Sequence, residues 1–297
     1  MTRVVYVGGR YVAYAQAGVH VEDRGFQFAD AVYEVIEVRD RLLIDGTRHL
    51  ARLWRSLDAL EIMPPMGERA LRLVIAQIIR RNRVDNGIVY LQVTRGAAPR
   101  DFAFPPADTP ATLVCLARRT DRARIDANAR SGIAVITVPD NRWERCDIKT
   151  TMLLPGSLAK MAAARQGGKE AWLVDRQGFV TEGASSTAWI VDASGRLVTR
   201  ALGSDILPGI TRRTLLDVIA AERLEVIEAA FTPADAVAAA EAFYTSASST
   251  VMPVVRIDGH IIGDGHPGQI TRRLRARFHQ LAEAAPPLGP CRRPTGA

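Results

Sequence analysis

Lysine is nearly absent from this 297-residue chain. Of 39 basic residues only three are lysines, Lys149, Lys160 and Lys169, and the remaining 36 are arginines. Arginine is permanently protonated and serves wherever a fixed positive charge is enough, whereas lysine can lose its proton and become a nucleophilic amine. Each surviving lysine is therefore a candidate for chemistry that arginine cannot perform. Cysteine is scarce too. Cys115, Cys146 and Cys291 are odd in number, widely spaced and form no C-x-x-C pair, which excludes a disulfide framework or cysteine zinc site and fits a reduced, cytoplasmic protein. The histidines His20, His49, His260, His266 and His279 show no ligand spacing, so no metal is expected. No apolar run is long enough to cross a membrane, and MTRVVYVGGRYV lacks the pattern of a signal peptide. A Gly-rich P-loop, a dinucleotide-binding fingerprint and a G-x-S-x-G elbow are also missing.

Positive charge is abundant, with a formal net charge of +7. The arginines are scattered and often adjoin Asp or Glu. Their densest run, RRLRARF at 272–278, falls in an amphipathic helical pattern. No groove-reading motif accompanies the charge, so nucleic acid is not an expected partner. Hydrophobic residues at 47% and charged residues at 24% are ordinary for a globular protein. The length suits two domains, each with its own core.

Periodicity divides the chain. VVYVGGRYV reads as two strands about a Gly-Gly turn, and AVYEVIEVRDRLLI as a second hairpin, with Val35, Glu37 and Arg39 alternating against Ile36 and Val38. In HLARLWRSLDALEI, Leu50, Leu53, Trp54, Leu57 and Leu60 share one helical face. ERALRLVIAQIIRRN is a second helix; GIVYLQVTRG and ATLVCLARR are strands. Residues 1–120 thus form a small α+β domain, an antiparallel sheet packed on helices. The polar stretch at 121–128 reads as a connector. A larger domain over 129–285 follows, with strands, hairpins and a helix after Pro208-Gly209, and residues 286–297 read as a disordered tail.

Four stretches hold residue types suited to chemistry. In RCDIKTT, Lys149 is either a surface lysine at a strand end or, partly withdrawn from water, an amine nucleophile or base. Cys146 beside it reads as a small buried residue rather than a nucleophilic thiol. In LPGITRR a helix begins at about Ile210, and its first backbone N–H groups, with Thr211, can face an anion. TEGASSTAW places Glu182 in a turn of small residues. FYTSASST runs from a strand into Ser246, Ser248 and Ser249. A lysine, anion cradles and a separate carboxylate are together what pyridoxal-phosphate catalysis requires.

The blocks EDRGFQFADAVYEV, HLARLWRSL, YLQVTRGAAPR, RCDIKTTMLL, VTEGASSTAW, ILPGITRR and YTSASSTVMPV, in this order, resemble the fold-type-IV pyridoxal-phosphate enzymes. The resemblance runs to about residue 280, and VYEV, VTRG-x-x-PR and RCDIK are most similar to the D-amino-acid aminotransferases. It implies a small N-terminal α/β sandwich domain and a larger C-terminal β-barrel-like domain with helices. It implies pyridoxal 5′-phosphate as cofactor, a D-amino acid and a 2-oxo acid as small-molecule partners, and a homodimer with shared active sites. Lys149 would form the Schiff base with the cofactor and then move the substrate proton. Glu182 would pair with the pyridine N–H. Arg52, the amides of Ile210 and Thr211, and the Ser246–Ala247–Ser248 segment would bind the phosphate, Ala247 keeping a backbone N–H where the D-amino-acid enzymes tend to carry a threonine. Tyr33 and Arg100 would hold the substrate carboxylate, Arg100 across the dimer.

One departure stands out. Where the D-amino-acid aminotransferases typically carry R-x-H, this chain reads Arg100-Asp101-Phe102. A charge-assisted hydrogen bond, worth about 1.5–3 kcal/mol, is replaced by an apolar ring. Alternatives are therefore an (R)-selective amine transaminase or a branched-chain-type aminotransferase and, further off, an aminodeoxychorismate lyase or a non-enzymatic basic binding protein.

Overall fold

A computed structural model describes residues 3–288, which divide into two compact units: 3–120 together with 283–288, and Asp121–Ala282. In the first unit β1 (Val4–Val7) and β2 (Arg10–Ala13) form a hairpin about Gly8 and Gly9, both at positive φ. A short helix, α1 (Arg24–Phe28), is capped by Asp23, which accepts the Gly25 N–H at 2.9 Å. Then come β3 (Ala31–Arg39), β4 (Leu42–Ile44), α2 (Gly46–Ala59), α3 (Glu68–Asn82), β5 (Gly87–Thr94) and β6 (Thr112–Arg119). The sheet is antiparallel throughout, in the order 284–285, β4, β3, β5, β6, β1, β2. Strand β3 alternates as expected: Val32, Glu34, Ile36 and Val38 are buried, while Tyr33, Val35, Glu37 and Arg39 are partly exposed. Helix α2 packs on β3, burying Leu50, Leu53 and Leu57 at helical spacing.

The second unit begins at Asp121. Residues 121–128, expected as a connector, hold the start of helix α4 (Arg122–Ser131), capped by Asp121 on the Arg124 N–H at 3.0 Å. The helix is polar almost all round, with only Ala129 buried, so no apolar stripe marks it in the sequence. It leads to β7 (Ile133–Pro139), α5 (Leu154–Arg165), β8 (Glu170–Val174), β9 (Val180–Gly183), β10 (Thr187–Val191) and β11 (Leu197–Thr199). There follow α6 (Ile210–Ala221), β12 (Val226–Glu228), α7 (Pro233–Ala238), β13 (Glu241–Ser246), β14 (Thr250–Ile257), β15 (His260–Ile261) and α8 (Gln269–Leu281).

The strands form one mixed sheet, ordered β12, β11, β10, β13, β14, β7, β8, β9, with β15 added to β14. Pairs β11–β12, β14–β7 and β7–β8 are parallel. β9 ends the order and β10 stands third from the other end, yet only Ala184 and Ser185 lie between the bridged residues Gly183 and Ser186. The sheet must curl to allow this, giving the barrel-like form expected. Its core holds Trp172, Phe231, Tyr244, Met252 and Val254.

The larger domain was expected to run to 285, but the chain crosses to the first unit at Glu283. Ala284–Ala285 pairs with β4, and Asp45 accepts the Glu283 N–H at 3.2 Å. Of the expected tail at 286–297, residues 289–297 lie outside the described residues. No helix among the described residues is long and apolar enough to cross a membrane.

Candidate functional site

Lys149 lies not at a strand end but in irregular backbone ten residues beyond β7. Cys146, Ile148 and Thr150 alternate into the interior, leaving Asp147, Lys149 and Thr151 half-buried on the other side. The segment is pinned by the Asp147 N–H on the Ser204 carbonyl at 3.3 Å and the Ile148 N–H on the Arg145 carbonyl at 3.2 Å. The Cys146 thiol donates to the Trp143 carbonyl, and burial pushes its pKa up to about 11, so it stays neutral. The other lysines have different surroundings. Lys160 pairs with the buried Glu170 at 3.2 Å, and Lys169 is exposed.

The charge of Lys149 is felt by Glu182, at the end of β9. Glu182 is only 5% exposed. Burial raises its pKa, and Arg142, the Leu207 N–H and Lys149 all pull the other way. Its Oε1 accepts from Arg142 Nη1 at 2.5 Å and from Leu207 N–H at 3.2 Å. Its Oε2 accepts from no donor among the described residues. Arg142 is in turn gripped by Asp140 through two bonds of 2.8 and 2.9 Å, and Asp140 accepts from Thr181 Oγ1 at 2.7 Å. The turn after Glu182 is tight: a Cβ on Gly183 would meet Ser186 Oγ at 2.1 Å, so a larger residue there would displace the Ser186 hydroxyl. Glu170 anchors the turn by accepting from Ser185 and Ser186 at 2.9 and 3.1 Å.

Two sets of backbone donors flank Thr187. Helix α6 has Gly209 as N-cap, with no side chain to cover its first turn. No acceptor among the described residues takes the N–H of Ile210 or Thr211, so the helix start carries unpaired donors and partial positive charge. A Cβ on Gly209 would stand 3.0 Å from Thr187 Oγ1. Thr187 pairs with Thr245 across β10 and β13, which puts the Ser246–Ala247–Ser248 turn at the same end of the sheet. There Ser246 Oγ and Ser248 Oγ are 3.4 Å apart.

In the first unit, Tyr33 lies on the half-exposed face of β3, its ring 5.8 Å from that of Tyr90. Arg52 is on the buried face of α2, where it needs a partner. Glu34 supplies it, accepting from Arg52 Nε at 2.7 Å and Nη2 at 2.8 Å; His49 Nδ1 is 2.7 Å from the same carboxylate. The Arg52 guanidinium and the His49 hydrogen bond hold the Glu34 pKa down to about 2 against its burial. Burial keeps His49 neutral and lowers its pKa, outweighing Glu34.

Both pKa values are lower in the folded chain, so each group stabilises the fold above its unfolded value and loses this as pH falls. Stability should decline from about pH 6.5 through His49, then from about 4.5 toward 2 through Glu34, which contributes about 3 kcal/mol. Urea titrations at pH 7, 5.5 and 4 check this: His49→Gln should remove the decline between 7 and 5.5 and leave the lower one.

Arg100 and Phe102 occupy an irregular loop of the first unit. The Arg100 guanidinium lies 5.0 Å from the Phe28 ring and 6.0 Å from that of Phe102, which is 81% exposed. Arg100 forms no ion pair among the described residues. Asp101 turns its carboxylate to the Ala103 N–H at 3.2 Å instead.

Residues 31–257 match the model of the amino-transferase class IV family. The chain belongs to the class IV aminotransferases. It is 37% identical over 284 residues to the D-alanine aminotransferase of Staphylococcus haemolyticus, covering 96% of this chain and 99% of that one. Against the D-alanine aminotransferase of Bacillus licheniformis the identity is 35% over 95% and 98% of the two chains. In fold it is similar to the Escherichia coli branched-chain amino acid aminotransferase (TM-score 0.86, 23% identity, 95% of each chain). The branched-chain aminotransferase of the archaeon Thermoproteus uzoniensis, with norvaline, gives a TM-score of 0.83 at 21% identity over 96% of this chain and 99% of that one.

As a class IV aminotransferase the protein depends on pyridoxal 5′-phosphate. Its residues fit that group: a buried carboxylate with one oxygen unengaged, a lysine whose charge reaches it, and paired nests of unpaired amides in the same unit. Four partners of these residues escaped sequence reasoning: Glu34, His49, Asp140 and Arg142. Glu34 had a signal, being a carboxylate in the buried phase of a strand. Arg142 had none, because one arginine among 36 is indistinguishable.

Proposed function

We propose that this class IV aminotransferase moves the amino group of a D-amino acid, of the D-alanine or D-glutamate type, to a 2-oxo acid. The observation that carries the chemistry is the buried Glu182, held on Oε1 by Arg142 and the Leu207 N–H with Oε2 unengaged. The choice of D-amino acids is supported by the 37% identity to a D-alanine aminotransferase along nearly the whole chain. When bound, pyridoxal 5′-phosphate supplies an aldehyde carbon that exchanges amines and a pyridinium ring that draws electrons from the substrate α-carbon.

Lys149 would hold the cofactor's aldehyde carbon through Nζ; displaced by the incoming substrate amine and so freed, Nζ would take the proton from the substrate Cα and return it at the other end of the transfer. Glu182 would accept the pyridine N–H on Oε2 and keep that proton in place. Arg142 and the Leu207 N–H, both on Oε1, favour the charged carboxylate that this task requires. The amides of Ile210 and Thr211, with Ser246, Ala247 and Ser248, would bind the phosphate as a helix N-terminus binds anions. Arg52, its Nε and Nη2 held by Glu34, would add donors from the rest of its guanidinium. Tyr33 and Arg100 would hold the substrate carboxylate, with the Phe102 ring 6.0 Å from the Arg100 guanidinium.

The protein is read as a homodimer in which Arg100 of the partner subunit serves each site. Leu154, Leu158 and Met161 support this, forming an exposed apolar stripe at helical spacing on α5. A monomer by light scattering removes this part of the reading. The buried free thiols Cys115 and Cys146 support a reducing, cytoplasmic location, which cell fractionation checks.

D-alanine should bleach the absorbance of the yellow holoenzyme and L-leucine should not. Bleaching by L-leucine and by no D-amino acid overturns the proposal. A second reading, acceptance of (R)-amines, is favoured by Phe102, an exposed ring where the D-amino-acid aminotransferases typically carry an imidazole. Absence of turnover with (R)-1-phenylethylamine removes it.

A further inference from the structure

The segment from Glu22 to Phe28 is laced to the loop that carries Arg100. The Arg24 N–H donates to the Gly96 carbonyl at 2.9 Å, the Ala98 N–H donates to the Glu22 carbonyl at 3.3 Å, and Asp23 and Ala97 form an isolated bridge. Thr94 Oγ1 donates to Asp23 at 2.9 Å, and Gly25 sits so close that a Cβ there would meet Thr94 Cγ2 at 2.3 Å.

The side chain of Arg24 goes further. It is 3% exposed, and its Nε donates to Asp30 at 2.8 Å. Its Nη1 donates to the carbonyls of Asp101 at 2.7 Å and Ala103 at 3.3 Å. Among the described residues, no other hydrogen bond reaches residues 100–104 from outside the loop. The same guanidinium lies 4.6 Å from the Phe28 ring, which meets Phe102 edge-on at 5.6 Å and stands 5.0 Å from the Arg100 guanidinium. Asp30 is shared with the buried Arg95 at 2.7 Å, whose guanidinium covers the Phe104 ring at 3.8 Å.

A buried guanidinium is costly to desolvate. Here it is spent on two main-chain carbonyls of a loop with no secondary structure of its own. We infer that Arg24 is a positioning residue for substrate recognition: by clamping the 101–103 backbone and bracing Phe28, it aims Arg100 and Phe102. The inference rests on the proposed carboxylate role of Arg100. It makes Arg24 important for donors that carry a carboxylate and nearly irrelevant to plain amines. Discrimination between D-amino acids and amines is then set from beneath the loop as well as on it.

The test is a double-mutant cycle on the holoenzyme. Arg24→Lys keeps a charge for Asp30 but cannot span both carbonyls or lie flat on Phe28. It should raise KM for D-alanine about tenfold, with a much smaller effect on kcat, since a misplaced anchor weakens binding before it affects chemistry. Arg100→Ala should raise KM at least as much, and the double variant no more than Arg100→Ala alone. Unchanged KM in Arg24→Lys, or a full additive effect on top of Arg100→Ala, overturns the inference. Unchanged KM in Arg100→Ala removes the carboxylate role of Arg100, and the inference with it. If Arg24→Lys fails to fold, Phe28→Leu takes its place in the cycle, with the same shift and the same loss of additivity expected.

Discussion

Lys149→Arg should abolish transamination and leave the fold intact. The rate should fall by roughly 10⁴-fold, the upper range for loss of an acid–base group. The neighbours Cys146, Ile148 and Thr150 pack inward, and Lys149 lies half-buried on the opposite side, so a longer side chain is accommodated without entering the core. The positive charge near Glu182 also persists. What disappears is the ability to shed a proton, because guanidinium stays charged at every accessible pH. Turnover of D-alanine with a 2-oxo acid measures the loss, and circular dichroism checks the fold. Borohydride reduction of the holoenzyme followed by peptide mapping locates the bond: cofactor mass should appear on the Lys149 peptide and vanish in the variant. Mass on Lys160 or Lys169 instead would sink the assignment.

Glu182→Gln should lower kcat by roughly 10²–10³-fold, the scale for removing one preorganised electrostatic partner. The amide oxygen can keep the place of Oε1 against Arg142 and the Leu207 N–H. The amide nitrogen then occupies the place of Oε2 and presents a donor where an acceptor is needed. Folding should survive, because Arg142 keeps both bonds to Asp140 and its bond of 3.1 Å to the Asp205 carbonyl. Steady-state kcat and cofactor absorbance separate the outcomes. A variant that still binds cofactor and retains kcat within about threefold would show that Glu182 is not the proton's partner.

The same arginine-rich composition made one candidate site residue conspicuous and concealed others. Lys149 is visible because lysine is rare here. Arg24, Arg52 and Arg142 are each buried or nearly so and tied to a carboxylate, yet in sequence they look like surface arginines of the kind at 272–278. The long elements were legible for a simpler reason. Burial on one side imposes a period of two on β3 and of three to four on α2, and the residues record it. Where burial is slight or the element short, as in α4, α1 and Ala284–Ala285, no period develops.

By itself the sequence determined the strand and helix periods, the rarity of lysine and the ordered blocks that resemble the fold-type-IV enzymes. These are local properties, set by each residue's own chemistry and its near neighbours. Only the tertiary structure decided which charges are paired. Arg142 reaches Glu182 across 40 positions, and Arg24 reaches Asp101 across 77. Such contacts exist only once the sheets have formed, because the low-dielectric interior that makes a buried charge demand a partner is itself a product of folding.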